Sequence, residues 1–329
     1  MRIAAIAGLM MGIAVGVGAG EAAPPPRSFA YVLQAEGLGR TRGEVVRRLA
    51  ECGRDWIILD PFFEGDDDGR WTEADLAAIR SGRAGRKVVA YLSIGEAEDY
   101  RPYWKREWDA TRDGRPDPKA PAWLGDENPE WKGNYKVRYW DAAWQEIMLG
   151  QLEAIVRAGF DGVYLDLVDA FETFEFDPAK KDWIDHRPNP ATGKTYRDDM
   201  IAWVRRIADE ARRRKPGFLV IPQNGVQLLE AAAFLATVDA VGVEDLFTDG
   251  NKSQPKSHVD YSLGFLDRAT KAAKPVLLIE YGTKPAAVKR STEGAAGKGF
   301  VLLVTDRQLK TLGRSGDNTG GREVAPVGG

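Results

Sequence analysis

Val276-Leu277-Leu278-Ile279 is an aliphatic run with no polar position in it. A strand with one face in water alternates apolar and polar residues, so an unbroken run belongs to a strand covered on both faces, as in a parallel sheet flanked by helices. Working outward, comparable runs are expected as strands over residues 29–34, 56–62, 87–94, 162–168, 218–222, 241–246 and 300–305. Between them, apolar spacing predicts helices over 41–52, 72–82, 142–158, 195–215, 226–235, 261–273 and 285–296. Met200, Ile201, Val204, Ile207, Ala208 and Ala211 show that spacing most clearly, and Thr72 is placed to cap its helix. Eight strands alternating with helices predict an α/β fold, a single (β/α)8 TIM barrel with long loops after strands 3 and 4. An open doubly wound sheet is the alternative.

A chain of 329 residues with 43% hydrophobic content can bury the core that such a barrel needs. Its net charge of -3 argues against a nucleic-acid partner, which calls for a basic surface. At the N-terminus, Arg2, an apolar stretch over 3–17 and the small residues Gly18-Ala19-Gly20 predict a signal peptide over residues 1–23. A secreted or periplasmic protein is therefore expected, an uncleaved N-terminal anchor being the alternative. The barrel domain is expected over 24–315, followed by a disordered Gly-rich tail over 316–329, and a monomer is expected. Cys52 is the single cysteine, so no intramolecular disulfide forms, and it reads as a small buried apolar residue on a helix.

In a barrel of this kind the working residues lie where strands end and loops begin. Here those positions are acidic: Asp60, Glu96, Asp166 with Asp169 beyond it, Glu244-Asp245, Glu280-Tyr281 and Asp306, with Gln223-Asn224-Gly225 after strand 5. Carboxylates crowded at one mouth push some pKa values up and leave others ionised, which supplies an acid and a base for glycosidic bond cleavage. The two long loops add Tyr100, Tyr103, Trp104, Trp108, Trp123, Trp131, Tyr135, Phe171, Phe174, Phe176 and Trp183, whose faces can stack on sugar rings or simply pack the loops down. Only His186 and His258 are present, so Ser-His-Asp catalysis and His-rich metal sites are not expected. Gly-Leu-Gly at 37–39 lacks the rest of a dinucleotide loop, and Asp66-Asp67-Asp68 reads as a solvated loop rather than a cation site. No cofactor and no metal are expected.

Several stretches resemble a known family. Residues 91–104 read YLSIGEAEDYRPYW, residues 161–166 DGVYLD, residues 224–225 NG and residues 243–247 VEDLF. Together they are similar to glycoside hydrolase family 114, the endo-α-1,4-polygalactosaminidase group, and the resemblance runs from Tyr31 to Asp306. It implies a (β/α)8 barrel that hydrolyses α-glycosidic bonds in an amino-sugar polysaccharide, with catalytic carboxylates on Asp166 and Glu244. Asp166 would serve as nucleophile and Glu244 as general acid/base. Asp60, Tyr91, Glu96, Asp99, Tyr164, Asp169, Asn224, Glu280 and Tyr281 are the expected contacts to a cationic polymer. Arg101 joins them, or pairs with Glu96 or Asp99 to fix the loop. An exported barrel that binds carbohydrate without cleaving it is the alternative, and it would have no need of the paired carboxylates.

Overall fold

The computed structural model describes residues 25–63 and 69–316. The expected signal peptide, the Asp66-Asp67-Asp68 run and the tail beyond Gly316 lie outside the described residues. Eight parallel strands follow one another along the chain: β1 (Phe29–Val32), β2 (Trp56–Leu59), β3 (Lys87–Ser93), β4 (Gly162–Asp166), β5 (Leu219–Pro222), β6 (Val241–Glu244), β7 (Val276–Glu280) and β8 (Val301–Val304). β1 through β5 form one ladder in chain order, and β6 through β8 form another. A parallel bridge between Gln223 and Gly242 joins the two ladders. Helices α1 (Arg42–Glu51), α2 (Glu73–Ser81), α3 (Ala142–Ala158), α4 (Tyr196–Arg214), α5 (Ala232–Thr237), α6 (Lys256–Lys271) and α7 (Pro285–Lys298) connect them. The α/β class and the parallel sheet are thus as the unbroken apolar runs predict.

Local chemistry fixes where the helices start. Thr72 and Thr195 each accept from the backbone N–H three residues on, while Asp75 and Asp198 reach back to the cap, closing a capping box at each start. The region expected as a helix over 226–235 instead splits into a 3-10 turn, Val226–Glu230, and the short α5. The expected loop over 96–139 holds an antiparallel sheet of Glu96–Glu98, Leu124–Glu127 and Asn134–Val137. Its strands are three or four residues long, too short for their periodicity to stand out from a loop. Residues 314–315 add an antiparallel strand to β8, and the Ser315 hydroxyl accepts from the N–H of Phe29 at the start of β1 (3.0 Å). At the far end of β1, Leu33 and Gln34 both donate to the carbonyl of Leu309.

Each strand has two apolar faces, because successive side chains point to opposite sides. One set joins the large cluster that includes the buried helix residues Leu76, Trp144, Met148 and Trp203. The other set forms a separate cluster drawn from strand after strand: Tyr31, Ile58, Val89, Tyr91, Tyr164, Ile221, Leu277, Ile279 and Leu303. Within that second cluster Gly242 makes room for a ring. A Cβ at Gly242 would stand 1.9 Å from the hydroxyl oxygen of Tyr164, a residue wholly buried beside Tyr31. Gly242→Ala should therefore lower stability by about 1–3 kcal/mol, read as a shift in the denaturation midpoint. Adding Tyr164→Phe should recover part of that loss: the Tyr164 hydroxyl makes no hydrogen bond among the described residues, but ring carbons 2.5 and 2.8 Å from the new Cβ remain. Failure of the second change to rescue the first would place the strain in the ring rather than in its hydroxyl.

Candidate active site

Three consecutive strand ends turn in the same unusual way. Asp166 closes β4 and is followed by Leu167 at φ 58°; Gln223 follows β5 and precedes Asn224 at 57° and Gly225 at 56°; Glu244 closes β6 and precedes Asp245 at 50°. Left-handed backbone costs little for Gly, Asn or Asp and more for Leu, so Leu167 is held there by its surroundings. Gly95, just past β3, presses on this turn: a Cβ on it would lie 2.3 Å from the Leu167 carbonyl oxygen. The chain thus leaves each strand at once, and the last side chain is left at the rim of the sheet.

Parity decides which side chains arrive there together. Tyr91, Tyr164 and Ile279 belong to the second cluster, so Asp166, two residues past Tyr164, and Tyr281, two past Ile279, share its face. Glu244 pairs in register with Ile279 and joins them. Asp166, Glu244, Tyr91, Gln223 and Tyr281 all line one cleft of about 510 Å³. The Tyr91 hydroxyl donates to Asp166 Oδ2 (2.7 Å) and the Leu167 N–H to Oδ1 (2.8 Å). Gln223 Nε2 donates to Glu244 Oε2 (2.8 Å), and the Tyr281 hydroxyl donates to Oε1.

These surroundings act on both acids. Burial, and then the charge of Asp166, push Glu244 up to about 8, against the pull of the Tyr281 hydrogen bond and of Arg307. Arg307 lies over the Tyr281 ring at 4.6 Å and donates to Asp245. Asp166 is also raised by burial, but its two donors pull it back towards ionisation. Tyr91 is itself raised well above its ordinary value by burial and by Asp166, so its hydroxyl keeps the proton it donates.

A second layer frames the cleft on the β2–β3 side. Arg101 grips Asp60 with two parallel bonds (2.8 and 2.7 Å) and Glu98 with a third (2.7 Å), and all three residues line the cleft. The partners of Arg101 are therefore Asp60 and Glu98, in place of the expected Glu96 or Asp99. Glu96, 5% exposed, accepts from Asn128 Nδ2 (2.9 Å) and is pushed up to about 7, first by burial.

Five of the expected contacts do not line the cleft. Asp99 is exposed in the turn just past the Glu96–Glu98 strand, its N–H donating to the Gly133 carbonyl. Tyr164 is buried below the site. Asn224 turns away and accepts from the Glu244 N–H through Oδ1 (3.2 Å). Glu280, wholly buried, accepts from the N–H groups of Phe247 and Thr248 and from the Thr248 hydroxyl, and so fixes the loop after β6. Asp169 also lies outside the lining, although burial and the nearby Asp166 and Glu172 raise its pKa strongly. Sequence reasoning missed Glu98 and Arg307, and it named Gln223 at a strand end without assigning it a contact. Strand parity from Ile221 would have found Gln223, whereas Glu98 and Arg307 come from loops whose paths no periodicity encodes.

The likeness to known proteins fits this geometry. A family model described as glycoside-hydrolase family GH114 matches residues 67–321. Uncharacterized proteins of Deinococcus radiodurans and Methanocaldococcus jannaschii are each 36% identical, covering 85% and 81% of this chain and 81% and 75% of their own. Among solved structures, the glycoside hydrolase domain of PelA from Pseudomonas aeruginosa superposes with a TM-score of 0.59 at 19% identity, over 88% of this chain and 99% of that one. Ega3 of Aspergillus fumigatus, in complex with galactosamine, superposes with a TM-score of 0.57 at 18% identity, over 80% and 88%. At those identities the structural likeness is one of fold. With a family model over most of its length and relatives at 36% identity, the chain belongs to glycoside hydrolase family GH114 and is a glycoside hydrolase.

Proposed function

We propose that this hydrolase cleaves α-glycosidic bonds in an amino-sugar polysaccharide, with Glu244 as general acid/base and Asp166 as nucleophile. The observation that carries the assignment is the split environment of two carboxyls in one cleft, with Glu244 holding a proton up to about pH 8 while Asp166 keeps two hydrogen-bond donors. In the first step an Asp166 oxygen attacks the anomeric carbon, the glycosidic C–O bond breaks, and the Glu244 proton passes to the leaving oxygen. In the second, water attacks the glycosyl ester, its proton returns to Glu244, and Asp166 leaves as a carboxylate. The parallel bridge between β5 and β6, the second apolar cluster and the hydrogen bonds at both ends of β1 support a closed (β/α)8 barrel with this cleft at its mouth.

The cleft carries Glu36, Asp60, Glu96, Glu98, Asp166 and Glu244 against Arg101, Lys132 and Arg307. Such a surplus of acids favours a polymer bearing protonated amines, and an exported protein would meet one. Hydrolysis of α-1,4-galactosamine polymer, its N-acetylated form, neutral glucans and galactans tests the reading. Cleavage of an amino-sugar polymer supports it. Cleavage of a neutral polymer alone removes the substrate, and binding without cleavage removes the reaction.

The proton on Glu244 can be followed directly. The Tyr281 hydroxyl favours the ionised form of Glu244, so Tyr281→Phe should raise the Glu244 pKa above about 8. The titration of the Glu244 carboxyl carbon by NMR should then move to higher pH. A shift to lower pH, or none, would count against the hydrogen bond as the cause.

A further inference from the structure

Among the described residues, Tyr100, Trp131, Trp183 and Tyr261 are the large apolar side chains that stand in solvent, each 49–62% exposed. Trp183 packs on Phe176 and Tyr261 on Phe265, and neither lines the cleft. Tyr100 lines it, but Arg101 lies over its ring at 5.1 Å and its hydroxyl is tied to Glu98. Trp131 lines the cleft and carries no ring or cation contact among the described residues. The other indoles of the same excursion, Trp104, Trp108 and Trp123, pack edge to face on one another at 5.2 Å.

A single exposed tryptophan is ordinary on a protein surface. Trp131 differs in that its backbone is tied into the turn on both sides. Its N–H donates to the Asn128 carbonyl and its carbonyl accepts from Asn134, while Gly133 N–H donates to Glu127 Oε1 (2.7 Å). The same Asn128 donates its side-chain amide to Glu96 inside the cleft. Asn128 therefore links the hairpin tip to the acidic wall, with a bare indole face at the rim.

We infer that Trp131 is the platform of an outlying sugar subsite, on which a pyranose of the bound chain stacks its C–H face while another part of that chain lies at Asp166 and Glu244. The indole π-face carries negative charge density, and the C–H groups of a pyranose, or a protonated amine beside them, present the opposite sign. The occupant is a sugar chain because the platform is continuous with the cleft that holds the two carboxyls. The inference rests on reading that cleft as a polysaccharide-cleaving site, and it makes the enzyme a gripper of polymer rather than of single sugars.

The test compares wild type, Trp131→Ala and Trp131→Phe on α-1,4-galactosamine oligomers of increasing length, with thermal midpoints measured to show that each variant is folded. Trp131→Ala should raise KM on the long oligomers by about 10–100-fold, with kcat little altered, since a contact made equally in ground and transition states appears in KM. Trp131→Phe should restore part of the loss. An unchanged KM on long oligomers, or a fall in kcat at constant KM, would overturn the subsite. If wild type cleaves another glycan of the panel in place of galactosamine, the substrate reading falls and the same KM criterion judges Trp131 on that glycan. Calorimetric binding of no glycan at all would remove both readings.

Discussion

Glu244→Gln is expected to lower kcat/KM on the cleaved polymer by about 10²–10⁴-fold, the usual worth of a positioned general acid/base. The amide keeps the shape and can still meet Gln223 and Tyr281, but it has no proton to give to the leaving oxygen. Folding should not suffer. Burial holds the Glu244 pKa far above its ordinary value, so the folded state resists its charge, and a neutral isostere at neutral pH relieves that resistance. The thermal midpoint of Glu244→Gln at pH 8 should equal or exceed that of wild type. Azide adds a sharper readout in Glu244→Ala, where it can replace water in the second step. Two displacements at the same carbon should then give a glycosyl azide of the substrate's own anomeric configuration. Full activity in Glu244→Gln would remove the residue from the mechanism.

Asp166→Asn should cost on the order of 10³-fold or more, since it removes both the covalent step and the negative charge beside the developing cation. Here azide should behave differently. In Asp166→Ala it attacks the anomeric carbon directly, a single displacement that inverts the configuration, so the two alanine variants should yield opposite anomers. Opposite anomers with the variants reversed would exchange the assigned roles, and the same anomer from both would overturn them. A second consequence follows from the electrostatics. The Asp166 charge is, after burial, the largest cause of the raised Glu244 pKa. Asp166→Asn should therefore shift the Glu244 titration downwards, the opposite direction to Tyr281→Phe. Asp166 thus also favours the protonated form of Glu244, so the pair should be non-additive in a double-mutant cycle.

The inner wall of the cleft shows how stability and function divide. Arg101 is 7% exposed and pairs with Asp60 and Glu98, offsetting their charge, although Glu98 still adds to the repulsion at Asp166. It holds those two charges in place at the wall of the cleft. Asp60 and Glu98 are thereby spoken for, and Glu96 is the remaining acid of that wall with only a neutral hydrogen-bond partner, Asn128.

Much of the fold was legible in the amino-acid sequence because the order of strands and helices follows from local patterns. Unbroken runs such as Val276–Ile279 need cover on both faces, and helices such as α4 carry their caps and apolar stripe in their own residues. The concentration of carboxylates at strand ends was legible for the same reason, since a strand end is marked by where its apolar run stops. Asp166 and Glu244 were among them. Tertiary structure decided which of those carboxylates meet. Glu280 ends a strand just as Glu244 does, yet it points to the other face and is consumed by Phe247 and Thr248, while its neighbour Tyr281 reaches the cleft. The difference is one residue of register, which comes from pairing with a neighbouring strand and is not a property of either run alone. Likewise Arg101 finds Asp60, 41 positions away in sequence, and Arg307 finds Asp245, 62 away, because folding brings their loops to one rim. The sequence by itself determined the elements and the supply of acids at their ends; the packing of strand on strand determined which acid keeps its proton, because that depends on burial and on the charge of a neighbour far along the chain.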